Sequence, residues 1–117
     1  MPGEEHDSIL NSIKSALGVD KDDTSFDNDI TMHINSVFST LTQLGVGPTE
    51  GFVIEDKDDT WNDFIDESNV HLSSVKSYMF MKVKLLFDPP SQSAVIASYE
   101  KLINEFEWRL NVAAETK

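Results

Sequence analysis

The run from Val75 to Phe87 limits what this chain can fold into more than any other stretch. It reads Val-Lys-Ser-Tyr-Met-Phe-Met-Lys-Val-Lys-Leu-Leu-Phe and stops at Asp88-Pro89-Pro90. As a helix it spans roughly 20 Å, and its apolar groups exceed the single stripe that a surface helix carries. Val75, Tyr78, Met79, Leu85 and Leu86 line one side, while Phe80, Met81, Val83 and Phe87 spread over the flanks. Only Lys76, Lys82 and Lys84 are clearly polar. Such a helix is either the central element of a small bundle or one face of a subunit interface. It marks a protein that assembles.

Three further helices surround it in the sequence pattern. The spacing predicts a first helix over 8–17, with Asp7 as N-cap, Ile9, Leu10, Ile13 and Leu17 as its stripe and Gly18 just past its end. A second begins after the acidic linker Asp20–Asp23, where Thr24 and Asp27 form a capping-box-like pair. Its broad face is Phe26, Ile30, Ile34, Val37, Phe38, Leu41 and Leu44, and Gly45 ends it. Residues 45–60 form a long connection broken by Gly45, Gly47, Pro48 and Gly51, with Phe52-Val53-Ile54 as a short β-prone piece. Thr60 and Asp63 repeat the capping pattern over a single turn holding Trp61 and Phe64. The third helix is expected from Ser68 or Asn69 to Phe87. The fourth follows the Pro89-Pro90 corner and reaches about Val112, with a stripe of Val95, Tyr99, Leu102, Ile103, Phe106 and Leu110. The expected fold is all-α, a four-helix bundle-like domain with a long loop between helices 2 and 3. Residues 1–117 form one domain, with 1–6 and 113–117 read as flexible.

Composition removes several classes of function. The chain has no cysteine, which excludes a disulfide framework, a thiolate metal site and a cysteine nucleophile. Its N-terminus lacks the basic and apolar blocks of a signal peptide. The longest apolar run is interrupted by lysines and is shorter than the roughly 20 residues of a membrane span. The chain therefore reads as soluble and intracellular at synthesis. A net charge of −12 opposes ordinary nucleic-acid binding, because phosphate contacts need lysine and arginine. The charge is also lopsided: residues 1–67 carry 16 acidic and 3 basic side chains, whereas residues 68–117 carry 5 and 6. A one-sided acidic surface suits steering towards a basic partner, or repulsion of DNA from a surface that must not bind it. A solvated face that only aids solubility accounts for it equally well.

Catalytic and metal patterns are not met. The pentapeptide Asp-Lys-Asp-Asp-Thr occurs at 20–24 and again at 56–60. Read as a calcium loop from Asp56, positions 1, 3, 5 and 12 are Asp56, Asp58, Thr60 and Glu67, but position 6 is Trp61 where the turn needs glycine. From Asp20, position 6 is Ser25 and position 12 is Thr31. Both runs read better as solvated linkers ending in a helix cap, where negative charge favours the dipole. His6, His33 and His71 share no helical ligand spacing. No serine stands in a nucleophile elbow, and Gly45-Val46-Gly47 follows a helix and lacks the downstream lysine of a phosphate loop. A metal-dependent hydrolase built on the acidic loops would lack its ligand geometry. Trp61 is balanced between core and contact. Trp108, two residues from Phe106 and off the main stripe, faces sideways or outward beside Arg109, as interface hot spots do.

Four segments together resemble a known family. LTQLGVGP (41–48), TWNDF (60–64), KLLFDPP (84–90) and NEFEWRLN (104–111), in that order and spacing, resemble the head–tail connectors of tailed bacteriophages, over roughly residues 8–112. The resemblance implies a structural virion protein, made in the host cytoplasm and placed in the neck. It implies a ring, most often twelvefold, that docks below the portal protein and meets a downstream neck or tail protein. DNA passes through such a ring without being bound. No enzymatic activity, cofactor or membrane contact is implied, and the C-terminal helix is the expected portal-docking element. On this reading Tyr78, Phe80, Met81, Phe87, Trp108 and Arg109 are expected interface residues, and Asp22, Asp23, Asp58 and Asp59 an expected acidic channel surface. The alternative is an acidic DNA-mimic inhibitor of a basic nucleic-acid-binding protein, which the balanced C-terminal half counts against.

Overall fold

A computed structural model describes residues 8–115, and among them five helices and no strand. They are α1 (Ile9–Leu17), α2 (Asp27–Gln43), the single turn α3 (Trp61–Phe64), α4 (Leu72–Phe87) and α5 (Ser93–Glu115). The all-α reading with a long connection between the second and third major helices holds. The Val75–Phe87 run becomes the central element, since α4 packs against α1, α2 and α5. Val75, Tyr78, Met79 and Val83 on α4 are fully buried, alongside Ile9, Ile30, Ile34 and Phe38. Each such side chain contributes about 1.5–3 kcal/mol when taken out of water, so this helix is the largest single contributor to the core. None of the helices is long and apolar enough to cross a membrane.

Several boundaries move, for local reasons. Ser8 caps α1, its Oγ accepting from Asn11 N at 3.2 Å; Asp7, the expected cap, lies outside the described residues. No capping box forms at Thr24 and Asp27: the chain enters α2 through Phe26 without a side-chain cap. Asp27 is drawn to a lysine instead of to the backbone. The expected box at Thr60 and Asp63 is present on both sides, with Asp63 N bonded to Thr60 Oγ1 and Thr60 N to Asp63 Oδ2. α4 begins at Leu72 and not at Ser68 or Asn69. Asp66 Oδ1 accepts from Ser68 N and Asn69 Oδ1 from His71 N, both at 2.8 Å, so two Asx turns use the chain before a helix can. α5 runs past Val112 to Glu115, so the C-terminal segment read as frayed is helical over its first three residues.

Phe52-Val53-Ile54 forms no strand. Asn35 on α2 replaces the missing strand neighbour: its Nδ2 donates to Ile54 O at 3.0 Å and its Oδ1 accepts from Ile54 N at 2.8 Å. One amide side chain thus satisfies both backbone groups of the buried Ile54, which would otherwise be left without partners.

Gly47 is the tightest point of the connection. Its φ is +85°, and a Cβ placed there would sit 2.8 Å from Phe64 Cζ and closer still to Phe64 Cε1. Positive φ and steric contact act together at this position. Gly47→Ala is expected to cost more than about 2 kcal/mol, read as a lowered midpoint in urea denaturation. A midpoint within a few tenths of a molar of the unsubstituted protein would show that the Phe64 ring moves freely and that the contact is soft.

Candidate functional site

Three of the four sequence segments that carry the family resemblance come together in space. Leu44-Gly45-Val46-Gly47, Phe64-Ile65 and the end of α5 meet at one end of the bundle. Gly47 lies against the Phe64 ring and Gly45 against Ala114 Cβ, and Asn111 Nδ2 donates to Leu44 O at 3.2 Å. That bond satisfies a carbonyl at the end of α2, where intrahelical partners run out. Residues from 45–47, Ile65, Asn69, His71, Leu110 and 113–114 line a hollow of about 170 Å³ there. The KLLFDPP segment makes the corner at the other end, where Phe87 meets Phe26 edge-on at 5.5 Å and Lys84 pairs with Asp88 at 3.1 Å.

The expected interface residues divide. Tyr78 and Met81 lie inside the chain's own core, 0% and 6% exposed, so neither side chain is at the surface to meet a partner; α4 buries both because it is covered on several sides. Phe80 and Phe87 are half-buried, Phe80 against Tyr99. Trp108 is 69% exposed, on the side of α5 turned away from the buried Ile103 and Leu110. Arg109 next to it is exposed and makes a 3.4 Å pair with Glu105, worth little in water. Trp61, which the sequence left open, is core: fully buried, its Nε1 donates to Ser12 Oγ at 2.9 Å, and Lys76 Nζ lies 5.6 Å above its ring.

The acidic residues divide in the same way. Both Asp-Lys-Asp-Asp-Thr runs fold into the same turn. Asp22 N bonds Asp20 Oδ1 and Asp58 N bonds Asp56 Oδ1, each at 2.8 Å, with Asp23 N and Asp59 N closing onto the carbonyls of Asp20 and Asp56. Identical sequence gives an identical Asx turn. Asp22 and Asp58 line one shared depression beside the start of α2. Asp23 is exposed, its carboxyl held below the usual range by hydrogen bonds from Ser25, with Lys14 adding a weaker pull. Asp59 turns inward, its Oδ2 accepting from Glu55 N at 2.6 Å and Asp56 N at 3.2 Å. It is a clasp for the loop and only secondarily part of an acidic surface.

Two polar centres escape sequence reading. Lys14 on α1 is 1% exposed. Its ammonium donates to Lys21 O at 3.1 Å and Asp23 O at 2.8 Å and pairs by charge with Asp27 Oδ1 at 2.8 Å. The Asp27 oxygen is buried and has no hydrogen-bond donor besides this counter-charge. The second centre joins α4 to α5: Tyr78 Oη donates to Glu107 Oε2 at 2.7 Å, with Lys82 Nζ 3.8 Å from the same oxygen. Burial first, then the Glu107 hydrogen bond and charge, push the Tyr78 hydroxyl well above its ordinary pKa of 10. Lys14 stands four residues after Leu10 and three before Leu17, at the flank of the apolar stripe, but a lysine in a last helical turn ordinarily faces water.

A family profile described as phage connector protein matches residues 9–117 of this chain. The chain belongs to the phage connector protein family. No curated protein and no solved structure matches it significantly. The connector family is one of structural virion proteins. The match spans all five helices, including the segments that knit the two ends of the bundle. Among the described residues of this connector no cluster of three or more histidine or acidic side chains could hold a metal ion. His6 lies outside them, His71 is exposed at the start of α4 and His33 is half-buried on α2.

Two consequences can be measured. Lys14→Met leaves the Asp27 carboxylate without its counter-charge and two carbonyls without a donor. It is expected to cost about 3 kcal/mol in chemical denaturation, and a loss below about 1 kcal/mol would mean that water replaces the ammonium. For Tyr78, an acid whose folded pKa is raised, the folded chain keeps its proton after the unfolded chain has lost it. Its contribution is complete below pH 10 and declines as pH rises above 10. Tyr78→Phe should therefore flatten the alkaline fall of stability between pH 9.5 and 11.5, although it lowers stability at neutral pH. An unchanged alkaline slope would assign that fall to other groups.

Proposed function

We propose that this protein is a head–tail connector that stands as a ring below the portal in the virion neck and forms part of the DNA exit channel. The observation that carries the reading is the family match over residues 9–117. The protein acts by geometry, without catalysis or a cofactor. Packaging and ejection need a passage that DNA does not adhere to, and carboxylates repel phosphate. The depression lined by Asp22, Asp27, Glu55, Asp56 and Asp58, in which the acidic side chains outnumber Lys21 and Lys57, supplies such a surface if it faces the lumen. The partners are the portal above, a neck or tail protein below and further copies of the chain at each side, twelve in all by analogy with the family. α5 is the portal-docking element: it packs mainly on α4, and only Ile103 and Leu110 along its length are buried, which leaves most of its surface for other proteins.

The test is light scattering on a size-exclusion column, with the purified chain alone and then with the portal protein of its phage. A ring-sized species, or a monomer that joins the portal as a large complex, is the expected result. A monomer that ignores the portal and captures a basic DNA-binding protein would overturn the reading in favour of an acidic DNA mimic. Neutralising Asp22 and Asp58 to asparagine is expected to leave thermal stability unchanged while altering DNA release from assembled particles. Unchanged release would reduce both residues to solubilising charge.

A further inference from the structure

The longest helix is also the most weakly enclosed. Of the 23 residues of α5 only Ile103 and Leu110 are buried, and its helix packing is mainly on α4. A short set of specific pairings holds it. Tyr78 Oη donates to Glu107 Oε2, Lys82 lies beside the same carboxylate, Phe80 meets Tyr99 at 6.4 Å between ring centres, and Asn111 Nδ2 donates to Leu44 O. The corner that leads into α5 is held by less. Pro89 and Pro90 offer no N–H, and Asp88 before them is kept out of the helical region, at φ −150° and ψ 71°. Among the described residues no hydrogen bond joins the end of α4 to the start of α5 across this corner. Two apolar groups beside it lack cover: Leu86 is 52% exposed, and Phe26, which packs on Phe87, is 43% exposed.

We infer that α5 is an exchangeable arm, which opens at the Asp88–Gln92 corner and packs on the α4 of a second copy of this chain. Exchange remakes every α4–α5 contact between copies, so the opened chain loses no contact that its partner does not restore. The pairings identify the occupant. A helix that replaces α5 must set a carboxylate opposite the Tyr78 hydroxyl and an amide opposite Leu44 O, which a second α5 does by identity. Any other helix would leave that hydroxyl buried and unpaired, which is costly. Exchange is opposed by the freedom lost on association. It is favoured beside the corner, where the opened linkers of neighbouring copies meet and Phe26 and Leu86 gain cover. Two copies can exchange reciprocally, or each can give its arm to the next and receive one in turn. The inference is independent of the connector reading, since it concerns the purified chain, and its failure leaves the place in the neck untouched.

The chain is free of cysteine, so an introduced pair reports on this contact alone. Phe80→Cys and Tyr99→Cys are placed on one chain, and a short thiol-specific cross-linker applied in dilute solution locks α5 onto its own α4. Molar mass by light scattering is then compared between locked and unlocked chains at millimolar concentration. The unsubstituted protein and the unlocked double variant are expected to associate, and locking should lower the association constant at least about 100-fold. An equal mixture of the two single variants, incubated at that concentration and then cross-linked, should give covalent dimers, whereas neither single variant alone should. Association that survives locking would assign the contact to outer surfaces and overturn the inference, as would an unlocked chain that stays monomeric. A second variant tests the same arm without cysteine: deleting residues 88–92 joins Phe87 directly to Ser93, so α5 can no longer fold back. That chain is expected to form dimers or larger species with the helical content of the intact protein, and a helix-depleted monomer would count against exchange.

Discussion

The burial of α4 on several sides at once is the constraint from which the rest of the structure follows. A helix with one apolar stripe can lie on a surface, but a helix with Val75, Tyr78, Met79, Met81 and Val83 all inside must be enclosed. α1, α2 and α5 provide the enclosure, and their own stripes are correspondingly partial. Tyr78 brings a hydroxyl into this environment, and an unpartnered hydroxyl there is costly. Its acceptor therefore comes from α5 as Glu107, which ties the last helix to the central one by a polar bond as well as by packing.

How much of this could be read from sequence depended on whether the deciding contact was local. The caps at Thr60 and Gly18 involve neighbours in the chain and were legible from residue type. The failed cap at Thr24 was not, because its competitor for Asp27 is Lys14, on another helix. The same holds for Phe52–Ile54: β-propensity was read correctly, but the strand's hydrogen bonds were taken by Asn35, nineteen residues away. Hydrophobic run length placed α4 at the centre, yet could not tell Tyr78 and Met81, which point into the core, from Phe80, which is half out. For the candidate site, the position of Trp108 off the apolar stripe was visible at 3.6-residue spacing. The hollow was not visible, since it is assembled from the 45–47 turn, the 65–71 segment and the end of α5.

The family segments gain a physical meaning from the same comparison. Gly47 needs its hydrogen side chain because Phe64 of TWNDF occupies the space, and Asn111 of NEFEWRLN completes the carbonyl end of α2. These three segments touch, whereas KLLFDPP makes the corner at the other end. The three fix the geometry of one end of the molecule, while the acidic turns occupy the region beside the start of α2.

The Lys14 centre bears on how that acidic region behaves as its surroundings change. Charge pairs exposed to solvent, such as Arg109–Glu105 and Lys57–Asp58, fade as ions accumulate, with a screening length of roughly 10 Å at 0.1 M and about 3 Å at 1 M. An ammonium sealed beneath the surface, surrounded by two carbonyls and a carboxylate of its own chain, is largely shielded from that change. The outline of the 20–27 segment is thus decoupled from the ionic medium, while the reach of its surface field is not. One scaffold keeps its form while the range of its surface charge contracts or expands with salt.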